Sequence, residues 1–155
     1  MIIKLPMAQR SKKDHIVACA LPLFLANGYK GTSIDLVVKE SAVSKPTVYN
    51  HFPDKAALIL AVMKQWAATH KPKIPAAKDL PGLDLLIDGQ WLTRETVGLY
   101  ALVIGEGRRF PQARKVFWEQ FDQRWRQLFI MTFIRADPQV EMYIDQRLMN
   151  RLKQL

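Results

Sequence analysis

Between Gly28 and Lys55 the chain is punctuated so closely that only helices of about two turns fit, and this stretch constrains the fold more than any other. Ahead of it, Ile16, Val17, Ala20, Leu21, Phe24 and Leu25 recur at helical spacing and predict a helix from Ser11 to Ala26. Asn27-Gly28 stops that helix, since glycine accepts the left-handed conformation. Pro22 inside it removes a backbone donor and is expected to kink the helix or weaken its last turn. Thr32-Ser33-Ile34-Asp35 then offers a threonine cap with an acid three residues on, opening a second helix to about Glu40. After Ser41-Ala42-Val43, Ser44 supplies another cap and Pro46 falls in a first turn, where its missing donor costs nothing, so a third helix runs through Thr47 to His51. Phe52-Pro53-Asp54 breaks it. Leu58, Ile59, Val62, Met63 and Trp66 then give the apolar face of a fourth helix.

The remainder is also helical in pattern. Lys71 to Gly89 carries Pro72, Pro75, Pro81, Gly82 and Gly89 and reads as a linker with at most one short helix around Leu83 to Asp88. It divides the chain into residues 1–70 and 71–155. A helix from about Leu92 to Gly107 breaks at Phe110-Pro111, and another follows from about Gln112 to Arg135. Val116, Phe117, Trp118, Phe121, Trp125, Leu128, Phe129 and Phe133 cover more than one side of it, which implies two packing neighbours. After Asp137-Pro138 a last helix, 138–154, carries Val140, Ile144, Leu148 and Leu152 at steps of four. Strand alternation is absent from the pattern, so the fold class is all-α.

Composition narrows the partners. A chain of 155 residues, 49% hydrophobic and 24% charged, has the balance of a globular protein of one-domain size. Its formal net charge of +9 favours a polyanion, either nucleic acid or an anionic membrane surface. Residues 1–70 hold nine basic and four acidic side chains against fourteen and ten in 71–155, so the excess is denser in the first part. Met1–Leu5 is too short for a signal-peptide apolar region and no stretch has the length of a membrane span, so a cytoplasmic protein without a membrane partner is expected. Cys19 among Ile16, Val17, Ala20 and Leu21 reads as a small buried hydrophobe. His15, His51 and His70 lack metal-ligand spacing, and neither a phosphate loop nor a Ser, His and acid grouping is present. No cofactor, metal or enzymatic activity is expected.

Two short helices joined by a tight turn have the proportions of a helix-turn-helix whose second helix enters the major groove of duplex DNA. The run from Thr32 to Leu58, with Gly28-Tyr29 ahead of it, resembles the DNA-binding signature of the TetR family of transcriptional repressors, and the likeness covers roughly the first 65 residues. Ala42 stands where that family usually has glycine. Lys45, Thr47, Tyr49 and Asn50 have donors suited to base edges, and Pro46 suits a thymine methyl. Thr32, Ser33, Ser44, His51 and Lys55 lie at helix N-termini or beside the reading helix, as phosphate contacts require. Lys12, Lys13 and Lys30 can add unspecific attraction. Ile34, Val37, Val43, Val48 and Phe52 read as the small core that fixes the two helices.

The segment Leu99 to Gln112 is similar to the C-terminal domain of an AefR-like subgroup. The family resemblance implies a C-terminal helical domain that binds an effector and forms a homodimer, through the two-sided helix 112–135 and the stripe on 138–154. Family members commonly run several tens of residues longer, and the family's long fifth helix is expected to be reduced to the Lys71 to Gly89 stretch. Trp66, Trp91, Tyr100, Ile104, Trp118 and Trp125 are the candidate walls of a pocket for a small hydrophobic effector. A dimeric repressor of a palindromic operator, released by that effector, is the reading these residues favour. The alternative is a basic helical interaction or membrane-surface module without an effector.

Overall fold

In the computed structural model, which describes residues 11–134 and 137–155, Ser11 caps the first helix, α1 (Lys12–Gly31), its hydroxyl oxygen accepting the Asp14 amide at 3.1 Å. Met1–Leu5 and Arg135, named above, lie outside the described residues. α1 buries Ile16, Val17, Ala20 and Phe24. Pro22 stays exposed, and the residue that leaves helical geometry is Gly28, at φ 72°, so the break falls at Asn27-Gly28 and not at the proline. Cys19 is half-buried instead of fully enclosed, because it sits on the flank of α1 beside exposed His15, whose Nε2 is 3.8 Å from its Sγ.

Helices α2 (Ile34–Ser41), α3 (Lys45–His51) and α4 (Lys55–Thr69) follow where the punctuation places them. The cap of α2 is Ser33 and not Thr32, with the Leu36 amide donating to its Oγ at 3.1 Å. Ala42 closes α2 in the left-handed region, at φ 54° and ψ 24°. Asp54 caps α4 by accepting the Ala57 amide at 2.7 Å. Residues 70–79 are without helix, and α5 (Leu80–Leu86), capped by Asp79, continues through a π-helical turn (Ile87–Trp91), longer than the short helix expected at Leu83 to Asp88. Thr93 caps α6 (Arg94–Glu106), two residues later than the periodicity suggested. A 3-10 turn (Gly107–Arg109) leads to Pro111.

From residue 111 to 134 one helical rod comprises α7 (Pro111–Phe117), a π turn (Trp118–Asp122), α8 (Gln123–Phe129) and a second π turn (Ile130–Ile134). The sequence explains the π turns. Phe117, Phe121, Trp125, Phe129 and Phe133 recur every fourth residue, and all are buried. In an unbroken α-helix of 3.6 residues per turn, a step of four drifts by about 40°, so the fifth residue would face about 160° from the first. Turns closed by i→i+5 bonds hold more residues and take up the drift, keeping the aromatic row on the core. Its neighbours are Trp66 of α4, Tyr100 of α6 and Trp91 after α5. α9 (Gln139–Leu152) buries Val140, Ile144 and Leu148.

Helices α1 and α4 pack against α6 and α7, so the two parts of the chain share a hydrophobic core. Among the described residues no strand occurs and no helix is long and apolar enough to cross a membrane.

Candidate nucleic-acid interface

The seven-residue helix α3 is held from beneath. Val48 is fully buried and Phe52, at the end of the helix, nearly so, while α2, whose Ile34 and Val37 are buried in the same core, packs against α3. That leaves the opposite face to solvent: Ser44, Lys45, Pro46, Tyr49, Asn50 and His51 are exposed and Thr47 is half-buried. Two short helices in this relation, with the second one free on its outer face, are the geometry of a helix-turn-helix. Ser44 caps α3 by position, but its hydroxyl pairs with Thr47 Oγ1 at 2.8 Å and makes no bond to a backbone amide. His15 props the turn from behind, Nε2 lying 2.9 Å from the Ser41 carbonyl oxygen.

Charge on this face is arranged by one pair. Lys45 Nζ lies 2.8 Å from Asp35 Oδ1 and 5.7 Å from the centre of the Tyr49 ring. The hydrogen bond to Asp35, and then the charge of Asp35, raise the pKa of the Lys45 ammonium above its ordinary value. The cation, the phenol and the Asn50 amide therefore stand together on the outer face of α3.

Two of the expected phosphate contacts are placed otherwise. Thr32 is 1% exposed, and its hydroxyl is directed at the carbonyl oxygens of Gly28 at 2.8 Å and Leu23 at 3.1 Å; it seals the end of α1 and neither caps α2 nor reaches the surface. Lys55 is half-buried, donating to the Tyr29 carbonyl oxygen at 2.7 Å with its ammonium 4.5 Å from the Tyr29 ring centre. Ser33 remains exposed at the start of α2.

The candidate effector residues do not surround one cavity. Trp66, Trp91, Tyr100 and Trp125 are packed ring against ring in the core, and Trp91 meets Tyr100 edge-on with centroids 6.2 Å apart. Ile104 points to solvent at 60% exposure; with half-buried Trp118, Val103, Arg108 and Arg114 it lines an outer cleft of about 220 Å³. The cause is the aromatic row of α7 and α8, which fills the interior. Within it runs a polar chain: Trp91 Nε1 donates to Tyr100 Oη at 3.1 Å, Tyr100 Oη to Asp122 Oδ1 at 2.6 Å, and Arg126 Nε to Asp122 Oδ2 at 3.0 Å. Burial first, and then the neighbouring Asp122, push the Tyr100 hydroxyl far above the ordinary tyrosine pKa. Trp125 Nε1 is buried without a partner. The Asp35–Lys45 pair and the acid Glu106, which accepts two amides at the exit of α1, were not anticipated from sequence. Glu106 stands next to Gly107, ahead of the Phe110-Pro111 break, the one local sign of a special position.

The first four helices thus define a helix-turn-helix head of the kind that binds DNA, and comparison with known proteins gives the family. Residues 16–62 match the family described as bacterial regulatory proteins, tetR family. The HTH-type transcriptional regulator UidR of Escherichia coli is 32% identical over 106 residues, which cover 64% of this chain and 54% of UidR. A solved structure described as a TetR-family transcriptional regulator from Mesorhizobium loti superposes with a TM-score of 0.65 at 26% identity, over 90% of this chain and 69% of that one. GusR of Salmonella enterica shares the fold, with a TM-score of 0.61 at 23% identity over 97% of this chain and 83% of that one. Residues 16–62, the helix-turn-helix head, thus carry the DNA-binding domain of the TetR family of bacterial regulators. It spans about half the length of UidR.

Proposed function

We propose that this regulator is a dimeric repressor working in the cytoplasm, which binds a palindromic operator through α3 and is released by a small hydrophobic effector. The observation that carries the reading is the free outer face of α3, where Lys45, Tyr49 and Asn50 stand exposed while Val48 and Phe52 lock the helix below. Ser33, Ser44 and His51 beside them suit phosphate oxygens, Thr47 and Pro46 suit base edges, and a backbone amide is the contact left to Thr32. Lys55 would reach a phosphate only on leaving Tyr29. Residues 1–70 are the reading head and 71–155 the effector and dimer half. The activity has no catalytic step.

For dimerisation the helix 112–135 stays a candidate, while α9 would use a different face from its stripe. Val140, Ile144 and Leu148 are buried in their own chain, so the α9 stripe is spent on the core. Met142 and Met149, two turns apart on α9 and exposed at 71% and 53%, and Ile130 and Met131 beyond α8, exposed at 43% and 69%, are the apolar groups a twofold partner would cover. Two heads in such a dimer suit half-sites about one DNA turn, roughly 34–36 Å, or a multiple of it apart. An effector would part the closed aromatic cluster of Trp66, Trp91, Tyr100 and Trp125, where the unpartnered Trp125 indole offers a donor, or lodge by Ile104 and Trp118. Effector and operator would then weaken each other's binding equally.

A gel-shift titration on duplexes selected from genomic DNA tests the head. Tyr49→Ala and Asn50→Ala are each expected to weaken binding at least about fivefold, since a base contact is worth about 1–3 kcal/mol. Unchanged affinity in both would show that α3 is not the reading helix.

A further inference from the structure

Glu106, the last residue of α6, reaches across to the exit of α1. Its carboxylate accepts the amide of Tyr29 through Oε1 at 2.9 Å and the amide of Lys30 through Oε2 at 3.0 Å. Gly28 makes room for this approach: a Cβ built there would stand 2.4 Å from Glu106 Oε1, and its φ of 72° is unfavourable for a side chain in any case. Arg109 Nε stands 3.8 Å from Oε2. The other polar group of the same residue, the Tyr29 carbonyl oxygen, accepts the ammonium of Lys55 at 2.7 Å, and the Tyr29 ring lies 4.9 Å from that of Phe110. Lys55 opens α4 three residues after Phe52, the foot of α3.

Tyr29 is therefore gripped from both sides, its N–H by the C-terminal part of the chain and its C=O by the first residue of α4, just past the reading helix. The grip on the first side is charge-assisted and uses both oxygens of one carboxylate, so it is directional as well as strong. On α6 the clasp lies six residues, about 9 Å, beyond Tyr100, which is anchored in the core on Asp122. A shift of α6 cannot leave the exit of α1 where it was without breaking two hydrogen bonds.

We infer that Glu106 is a positioning residue, whose two-amide clasp on Tyr29 and Lys30 sets the placement of the reading head on the rest of the chain and so its DNA affinity, without touching DNA. The part concerning affinity rests on the head being the DNA-binding unit; the part concerning placement does not.

The test uses the full chain with nitroxides at Lys39→Cys on α2 and Gln123→Cys on α8 in a Cys19→Ser background, diluted with unlabelled chain. Pulsed electron paramagnetic resonance reads the head-to-body distance, and amide exchange by NMR reads Tyr29 and Lys30. Glu106→Ala is expected to broaden the distance distribution and to speed exchange of those two amides at least tenfold, with exchange in α7 and α8 unchanged. Glu106→Gln, which keeps one good acceptor, should fall between, and serves as the test if the alanine variant fails to fold. Gly28→Ala should displace the head although Glu106 is present. Wild-type distances and exchange in both Glu106→Gln and Gly28→Ala would overturn the placement role. On a genome-selected duplex, a weakened affinity in the same variants supports the link to DNA, and an unchanged affinity refutes it. Failure of the wild type to bind any duplex would instead refute the DNA reading and leave the clasp to the distance measurement.

Discussion

Lys45 Nζ, in the first turn of α3, is hydrogen-bonded to Asp35 Oδ1, in the first turn of α2, at 2.8 Å. Both side chains are exposed, so the pair adds little to stability, but it places an acid beside the cation that would meet DNA. Asp35→Asn is expected to raise affinity for duplex DNA by about two- to fivefold at low salt, with a steeper salt slope by up to about 0.9, as one more cation neutralises a phosphate. Fluorescence anisotropy across a salt series measures both quantities. A drop in affinity would mean that Asp35 orients Lys45 productively.

Ala42 holds a conformation that costs a β-carbon about 1 kcal/mol. Ala42→Gly should therefore stabilise the chain by up to about that amount, a rise in Tm of about 2–4 °C at this size, by calorimetry. A lower Tm would show that the turn tolerates alanine without strain.

The buried hydroxyl of Thr32 gives a contrast with its exposed neighbour. Thr32→Val keeps the shape and removes the bonds to the Gly28 and Leu23 carbonyls, and should cost about 1–2 kcal/mol in urea unfolding while leaving the salt slope of DNA binding unaltered. Ser33→Ala, which removes the α2 cap, should cost about 1 kcal/mol.

The order of helices was legible because its signals are local: Ser11, Asp54 and the Asn27-Gly28 stop act within a few residues of themselves. The free face of α3 was legible for the same reason, since Pro46 and Val48 fix its phase. What escaped depends on residues far apart in sequence. Thr32 and Ser33 are both competent caps, and only the packing of α1 decides which one turns inward. Lys55 looks like any exposed cation until Tyr29, 26 residues earlier, is brought beneath it. The aromatic residues of α7 and α8 suit a pocket wall and a core equally by composition; the period of four, absorbed by two π turns, directs them to the core.

Tyr100 predicts a pH dependence. Its folded pKa is raised by burial and then by Asp122, so its contribution to stability is complete below the unfolded value of about 10 and is lost as pH rises beyond it, by up to about 1.4 kcal/mol per pH unit. Tyr100→Phe should cost about 2 kcal/mol at pH 7, where Asp122 loses a donor but keeps Arg126, and should flatten the decline between pH 10 and pH 11. Urea unfolding at pH 7, 10 and 11 measures the difference; equal alkaline slopes in the two chains would contradict the assignment.

The most direct test of α3 as the reading helix is a comparison of two duplexes of the same length and composition, one selected from genomic DNA by the protein and one scrambled, titrated across a salt series. The wild type should prefer the selected duplex by at least about a thousandfold. Tyr49→Ala combined with Asn50→Ala should collapse that preference while leaving the slope on the scrambled duplex in place, because these side chains read bases and not phosphates. Equal binding of both duplexes by the wild type, or an undiminished preference in the double variant, would contradict it.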